Sequence, residues 1–327
     1  MIRTLYKIVF LTYFKLLQFM EFFLQKFPNN SYLRFFYAKY ITLKNKHIYN
    51  SSWSYMEDMY KDSKRNEFYK KLIKKYAPNE ELLEIGSGLG YLTVCILKEK
   101  PKKLTVIEAS DSMYRSTHSL ISKNIDKTDH VKLINKSTYE LKVDEIPSST
   151  NYILHELIGH NIFSESFIET INNIKHILPK ARMLPGKIRI YCQPVYMHQE
   201  NQFKFLRNKD FQIDMSPVLG FNHNAMRFYR GELVSIEYDP FIIFDLDFNI
   251  KMKTEDKSVI DLKKFPRANA IIIFFNLSEK ELSYSNSPFV DIESLSHWWP
   301  MIYQYSNNSN HSLELSYDRT KFNIKAI

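Results

Sequence analysis

Two acidic side chains nine positions apart, Glu156 and Glu165, and an acid ahead of a glycine cluster, Glu84 before Gly86, Gly88 and Gly90, are where this chain could do chemistry. Carboxylates brought together repel, and one is driven to hold its proton unless a cation lies between them. A guanidinium suits that place, being planar, permanently charged and edged with a fork of N–H donors. Such a clamp would draw positive charge to the far nitrogens and leave a lone pair on the target one, so its contribution is positioning and electrostatics. The plain alternative is that Glu165 is a helix N-terminal acid favoured by the macrodipole and Glu156 a solvated loop residue.

The chain has only seven glycines in 327 residues, well below the roughly 7% of average usage, and three of them fall between 86 and 90. Glycine supplies positive φ and lets backbone approach a ligand without a Cβ in the way. A P-loop would need Gly-Lys-Ser/Thr at the helix start, where this chain has Gly90-Tyr91-Leu92, so that reading is excluded. A dinucleotide site would space its glycines G-x-G-x-x-G, whereas these read G-x-G-x-G. Glu108, about twenty residues on, is an acid at a strand end that can take both ribose hydroxyls, in a dinucleotide or in S-adenosylmethionine. Glu84 tips the choice, because E/D-x-G-x-G-x-G is the pattern of class I methyltransferases. An ordinary tight βα turn beside a surface Glu is the other reading of the loop.

These residues must be positioned by regular elements. Residues 81–85 read as an apolar strand running into the glycine loop, 91–97 as the apolar start of a helix, and 103–107 as the next strand, ending at Glu108. Residues 151–154 read as a further strand, which would put Glu156 just past its carboxyl end, where open α/β sheets bind their ligands. Gly159 allows the chain to double back and bring Glu165 toward Glu156, with Ser166-Phe167-Ile168 opening a helix. From Lys187 onward, alternating stretches such as 233–238 and 270–277 read as strands between Asn, Ser, Asp and Pro clusters.

Beyond the loop, the chain resembles the protein arginine methyltransferases. Met59-Tyr60-Lys61-Asp62-Ser63-Lys64-Arg65, continued to Tyr69, looks like that family's M-x-x-D-x-x-R-x-x-x-Y segment. Glu156 to Glu165 is similar to its double-E loop, Ser296-His297-Trp298 to its Thr-His-Trp loop, and Met183-Leu184-Pro185-Gly186 to the turn that opens its β-barrel. The similarity runs from about Trp53 to Tyr305 with the motifs in the family's order. It implies a Rossmann-like α/β sheet of the seven-strand type, a following β-barrel-like domain, and S-adenosylmethionine-dependent transfer of a methyl from sulfonium to a guanidino nitrogen. The acceptor would be an arginine in protein or peptide, free arginine or a small guanidine. A non-catalytic partner-binding module on the same fold, or a different small-molecule acceptor, is the alternative.

The resemblance also implies roles. Arg65 would pair with the cofactor's methionyl carboxylate, Glu84 would lie near its amino group, Glu108 would hold the ribose, and Tyr139 or Glu140 would meet the adenine. Met59 would line the methyl-transfer site, and His297 would face the pocket and pair with Asp62. Departures fall around these positions: the family's aromatic cover helix is not evident before Met59, where Trp53 and Tyr55 stand, and Met56 replaces a common histidine. Trp299-Pro300 changes the wall of the acceptor pocket, and the segment where a dimerisation arm would sit, around Asp214 to Arg230, is compact.

The expected organisation is an N-terminal helical extension over 1–50, a cofactor domain over 51–185 and a β-rich substrate domain over 186–327. The net charge of +9 comes from dispersed lysines, and no zinc knuckle or RNP-like motif accompanies it, so no nucleic-acid partner is expected. Cys95 and Cys192 in apolar contexts read as buried free thiols, which with the lack of a disulfide framework favours a reducing cytoplasmic compartment. Met1 to Phe27 is apolar but interrupted by Arg3, Lys7, Lys15, Glu21 and Lys26, too often for a spanning helix. Packing against the cofactor domain or a second subunit of a homodimer is its simplest use, and peripheral membrane contact the sharper alternative. No metal site is expected.

Overall fold

The computed structural model describes residues 53–159, 161–198, 226–228, 234–289, 297–305 and 312–327. The chain divides into two compact units, 1–57 and 58–327, and the second holds every element that follows except the start of the first helix. The expected extension over 1–50, most of the compact arm from Asp214 to Arg230, His160 and Ser296 lie outside the described residues. Among those described, no helix is long and apolar enough to cross a membrane, and no cluster of His, Cys, Asp or Glu could hold a metal ion.

Helix α1 (Trp53–Lys61) gives way to α2 (Ser63–Tyr76) at Asp62. Asp62 is extended and its Oδ1 accepts the Arg65 N–H at 2.9 Å, satisfying one of the donors a helix start leaves open. A parallel sheet follows, built of β1 (Glu81–Ile85), β2 (Lys103–Ile107), β3 (Val131–Ile134), β4 (Tyr152–His155) and β5 (Arg182–Leu184) in the order β3-β2-β1-β4-β5. Between the strands run α3 (Tyr91–Lys98), α4 (Asp111–Asn124) and α5 (Phe167–Ile177). The chain moves outward from β1 to β3 and then returns to β4 on the other side of β1. That reversal opens a crevice at the carboxyl ends of β1 and β4, the place where such sheets bind ligands.

The sheet has five strands among the described residues rather than the seven expected. After β5 the sequence offers no further strand–helix alternation, and at Pro185-Gly186 it turns into antiparallel strands. Gly186 is needed for close approach, since a Cβ there would lie 2.6 Å from Glu279 Oε2. Strand β6 (Lys187–Met197) pairs on one edge with β11 (Ala270–Glu279), which runs two residues past its expected end. On its other edge β6 pairs first with β9 (Phe241–Asp247) and then with β8 (Val234–Ile236), with a register shift at Ile190/Tyr191. Strand β11 likewise divides its free edge between β13 (Met301–Gln304) and β12 (Leu282–Ser285), and β7 (Met226–Phe228) joins β13. Long strands that change partners and bulge bend the sheet, which makes this half barrel-like. A three-stranded sheet of β10 (Asp256–Asp261), β14 (Ser312–Tyr317) and β15 (Phe322–Ala326) completes it.

Side chains alternate along β11: Ile271, Ile273, Phe275 and Leu277 join the large core that also contains Leu83 and Leu154 of the parallel sheet, while Ala270, Ile272 and Phe274 join a separate cluster with Val195, Met197 and Ile302. One continuous apolar core therefore fixes the antiparallel half against the parallel one. Cys192 is buried in it and Cys95 only half-buried on α3, both as free thiols.

Candidate active site

The glycine loop between β1 and α3 holds a conformation side chains resist. Gly86, Gly88 and Gly90 have φ of 75°, 55° and 91°, all in the region where a Cβ is strained. At Gly90 space is exhausted as well, because a Cβ would lie 2.9 Å from Thr117 Cα. Thr117, from α4, fastens the loop: its hydroxyl donates to Gly88 O at 3.0 Å and lies 2.8 Å from Ser87 Oγ. Glu108, just past β2, fastens it from the other side, accepting Gly88 N–H at 2.9 Å and Ser110 N–H at 2.8 Å. An ionised carboxylate offers about four acceptor sites, so Glu108 keeps capacity for further donors. Burial raises its pKa, and the Ser110 and Gly88 N–H groups work against that rise.

Glu84 is the penultimate residue of β1 and is 2% exposed, yet neither of its carboxylate oxygens has a hydrogen-bond partner among the described residues. Burial, with some relief from the nearby Thr93 hydroxyl and some reinforcement from Glu108, pushes its pKa up to about 7. Arg65, on α2, is the complementary case. Its Nη2 donates to Glu156 Oε2 at 3.0 Å and its Nη1 to Asn66 Oδ1 at 2.9 Å, while its buried Nε has no partner among the described residues. Burial opposes the guanidinium charge, and the Glu156 carboxylate more than restores it. Tyr60 feels both: burial drives its pKa up to about 12, Arg65 pulling it down and Glu84 pushing it further up.

Glu156 follows β4, as its place in the sequence requires, and the loop from it to Glu165 folds back on itself. Gly159 is where it does so: a Cβ there would lie 1.9 Å from Ser164 Oγ and 3.2 Å from Glu165 Cγ. The need at Gly159 is for close approach rather than for an unusual φ. The loop is gripped from outside, since Trp298 Nε1 donates to Ile158 O at 2.6 Å and Phe322 N–H to Asn161 Oδ1 at 3.1 Å. Phe163 stacks on Tyr317 with ring centres 4.5 Å apart. Ser166 adopts φ of 55° and α5 begins at Phe167.

His297 and Trp298 are buried beside each other, centroids 4.2 Å apart. Asp62 Oδ2 accepts His297 N–H at 3.0 Å, lies 3.1 Å from His297 Nδ1, and receives the Tyr284 hydroxyl at 3.3 Å. Burial would raise the Asp62 pKa, but the His297 hydrogen bond and the Arg65 N–H together hold it below the usual value. One aspartate thus caps the helix that carries Arg65 and seats a residue 235 positions away. Met59 is buried on α1, its carbonyl accepting Asp62 N–H at 3.3 Å.

The two residues expected at an adenine are held by local contacts. Glu140 Oε2 turns back to accept Ser137 N–H at 2.8 Å, closing a short capping box, and Tyr139 is 58% exposed with its hydroxyl 3.3 Å from Glu169 Oε2. Both follow β3, beyond β2 from the crevice. Thr117, Tyr284 and Asn161 are site residues that the sequence reading missed. Nothing local marks them, since each acts through a contact 29 to 222 positions distant in the chain.

The model of a family described as ribosomal RNA adenine dimethylase matches residues 53–184, which end with the parallel sheet. Curated relatives are arginine methyltransferases. Protein arginine N-methyltransferase 9 of Xenopus laevis is 26% identical over 41% of this chain and 16% of its own length. Protein arginine N-methyltransferase 2 of Dictyostelium discoideum is 28% identical over 62% of this chain and 41% of its own length. The chain therefore spans less than half the length of these relatives. Solved structures share the fold: PRMT6 superposes with a TM-score of 0.66 at 14% identity, covering 84% of this chain and 99% of that one. Arabidopsis thaliana protein arginine methyltransferase 10 gives 0.63 at 15% identity, covering 86% and 97%.

Proposed function

We propose that this chain binds S-adenosylmethionine at the carboxyl edge of the parallel sheet and methylates a guanidino nitrogen held by Glu156 and Glu165. The observation that carries the reading is that a buried donor atom, Arg65 Nε, and the buried Glu84 carboxylate both lack a hydrogen-bond partner among the described residues, and both act electrostatically on Tyr60. A buried donor and a buried acid without partners are costly unless a ligand completes them. An amino-acid zwitterion does so, its carboxylate meeting Arg65 and its ammonium meeting Glu84. The open acceptor capacity of Glu108 suits a ribose diol, and the positive-φ glycines let the backbone come close. Solved relatives with S-adenosylhomocysteine bound support the same cofactor.

When bound, the cofactor supplies an electrophilic methyl group on a sulfonium. The acceptor is the work of the acid loop. Glu156 spends Oε2 on Arg65 and keeps Oε1 for an acceptor N–H. The close packing of Gly159 on Ser164 and the Glu165 side chain supports two acids facing one cation. Asp62 holds the His297 ring by Nδ1, and the Met59 carbonyl accepts the Asp62 N–H. An arginine in protein or peptide fits best, as the names of the curated relatives support; free arginine or a small guanidine uses the same chemistry. The free thiols support a reducing cytoplasmic setting.

The test is a mass-spectrometric assay offering S-adenosylmethionine with an arginine-rich peptide, free arginine and an adenine-containing RNA oligonucleotide. Methyl should appear on the peptide or on arginine. Glu165→Gln should cut turnover at least a hundredfold, about 3 kcal/mol of transition-state stabilisation, with cofactor affinity nearly intact. Methyl on the RNA alone, or full activity in Glu165→Gln, would overturn the assignment.

A further inference from the structure

The acid loop is held at its tip by the last hairpin of the chain. Asn161 stands midway between Glu156 and Glu165, and its Oδ1 accepts the backbone N–H of Phe322, the first residue of β15, at 3.1 Å. Two residues on, Phe163 is fully buried and lies nearly parallel to Tyr317 of β14, 4.5 Å away at 10°, and to Phe322, 6.3 Å away at 5°. Tyr317 and Phe322 face each other across the hairpin. Its turn is rigid in its own right, because Asp318 Oδ1 accepts Thr320 N–H at 2.8 Å and Lys321 N–H at 2.9 Å. Arg319, in the same turn, reaches Glu169 on α5 at 3.1 Å, so the hairpin also touches the helix into which Glu165 leads.

We propose that the β14–β15 hairpin is a brace for the acid loop and that Asn161 is a positioning residue for the acceptor acids. This rests on the reading of Glu156 and Glu165 as the acceptor clamp. The physical reason lies in the loop's tightness. Gly159 and Ser164 are packed so closely that no Cβ fits between them, so a shift at Asn161 is not absorbed locally and passes to the spacing of the two carboxylates. Catalytic groups misplaced by about 1 Å lose on the order of a hundredfold in rate, which makes even a small displacement readable. The brace holds the acceptor side only; the glycine loop, Glu84 and Glu108 are fastened by Thr117 and by one another.

Two variants of the full chain separate this from a general structural role. Asn161→Leu removes the acceptor at similar volume, and Asn161→Asp keeps it. Hydrogen–deuterium exchange over residues 156–165, kcat and KM for an arginine peptide, and calorimetric affinity for S-adenosylhomocysteine are the readouts. In Asn161→Leu, exchange in the loop should rise severalfold while β1 and β2 keep their protection. Its kcat should fall five- to tenfold with cofactor affinity within twofold of the parent, and Asn161→Asp should recover kcat to within twofold. Unchanged loop exchange, or an Asp variant no better than the Leu variant, would overturn the brace while leaving the activity in place. A parent protein that methylates no guanidine would instead remove the clamp reading, and the positioning role of Asn161 with it.

Discussion

Glu84 and Glu279 are almost equally hidden, at 2% and 3% exposure, and the two regions that hold them treat a buried carboxylate in opposite ways. Glu279 ends β11 at the amino edge of the parallel sheet, where the Tyr76 hydroxyl donates to it at 3.1 Å and Arg182 forms an ion pair with it. It joins the two halves of the molecule. Glu84 sits at the opposite, carboxyl edge with no partner among the described residues and a pKa pushed up to about 7. A protein that can satisfy one buried glutamate and leaves the other unmatched has placed an electrostatic cost where a ligand can relieve it. The amino edge is built for cohesion, and the carboxyl edge is poised for binding.

The strongest way to break this comparison is Glu84→Gln. If the acid serves a cationic group of the ligand, affinity for S-adenosylhomocysteine should fall about ten- to a hundredfold, the 1.5–3 kcal/mol expected of a charged hydrogen bond. Stability of the empty protein should move the other way. A buried acid whose folded pKa lies near 7 holds its proton in the native state while the unfolded chain has released it, so it destabilises the fold progressively from about pH 4.5 to 7, by about 3 kcal/mol in all. The glutamine still buries an amide, so the gain at pH 8 should be nearer 1–2 kcal/mol, with none at pH 4. A variant that loses stability at pH 8 and binds normally would make Glu84 an ordinary structural residue.

Glu279→Gln tests the other edge. Arg182 is 40% exposed in its side chain, so its ion pair contributes little after solvent screening, and the main loss is the weakened acceptor for Tyr76. Chemical denaturation should show about 1–2 kcal/mol of destabilisation, with cofactor affinity unchanged. A change in cofactor affinity equal to that of Glu84→Gln would erase the distinction between the edges.

The smallest effect sharpens the comparison through pH. His155, the last residue of β4, is fully buried with Nε2 3.1 Å from Pro185 O, and burial lowers its pKa to about 4. The native state therefore refuses a proton that the unfolded chain takes up below about pH 6.5, so His155 makes stability rise with pH between roughly 4 and 6.5. Glu84 makes it fall over nearly the same interval, and the parent should be close to flat there. Glu84→Gln should uncover a rise of up to about 1.4 kcal/mol per pH unit. A profile parallel to the parent's would show that one of the two groups is not titrating as its surroundings dictate.

How far the sequence reached differs between these same regions. The glycine loop, Glu84, Glu108 and the acid loop were legible because each depends on local rules. Three glycines cluster in a glycine-poor chain, acids follow apolar strands, and a glycine stands between two glutamates. The strands over 81–85 and 103–107 and the helix opening at Phe167 follow from apolar runs and their boundaries in the same way. The pairing of Asp62 with His297 was expected only from a family resemblance, and its geometry, with Tyr284 as a third partner, appears in the fold alone. The adenine-side residues, Tyr139 or Glu140, were expected from the resemblance alone, and Glu140 also closes a capping box with Ser137.

The sequence by itself determined the first strands and helices around the site, the glycine loop and the presence of acids near strand ends, because backbone freedom and hydrophobic period act over a few residues. Only the tertiary structure decided that the parallel sheet has five strands among the described residues, that Arg65 lies on Glu156 across 91 positions, and that Phe322 grips Asn161 across 161. Those contacts depend on which faces share one core and which ends of strands meet. No short-range pattern encodes a distance between residues that far apart in the chain, so the difference between Glu84 and Glu279, two glutamates in apolar strands, exists only once the chain is folded.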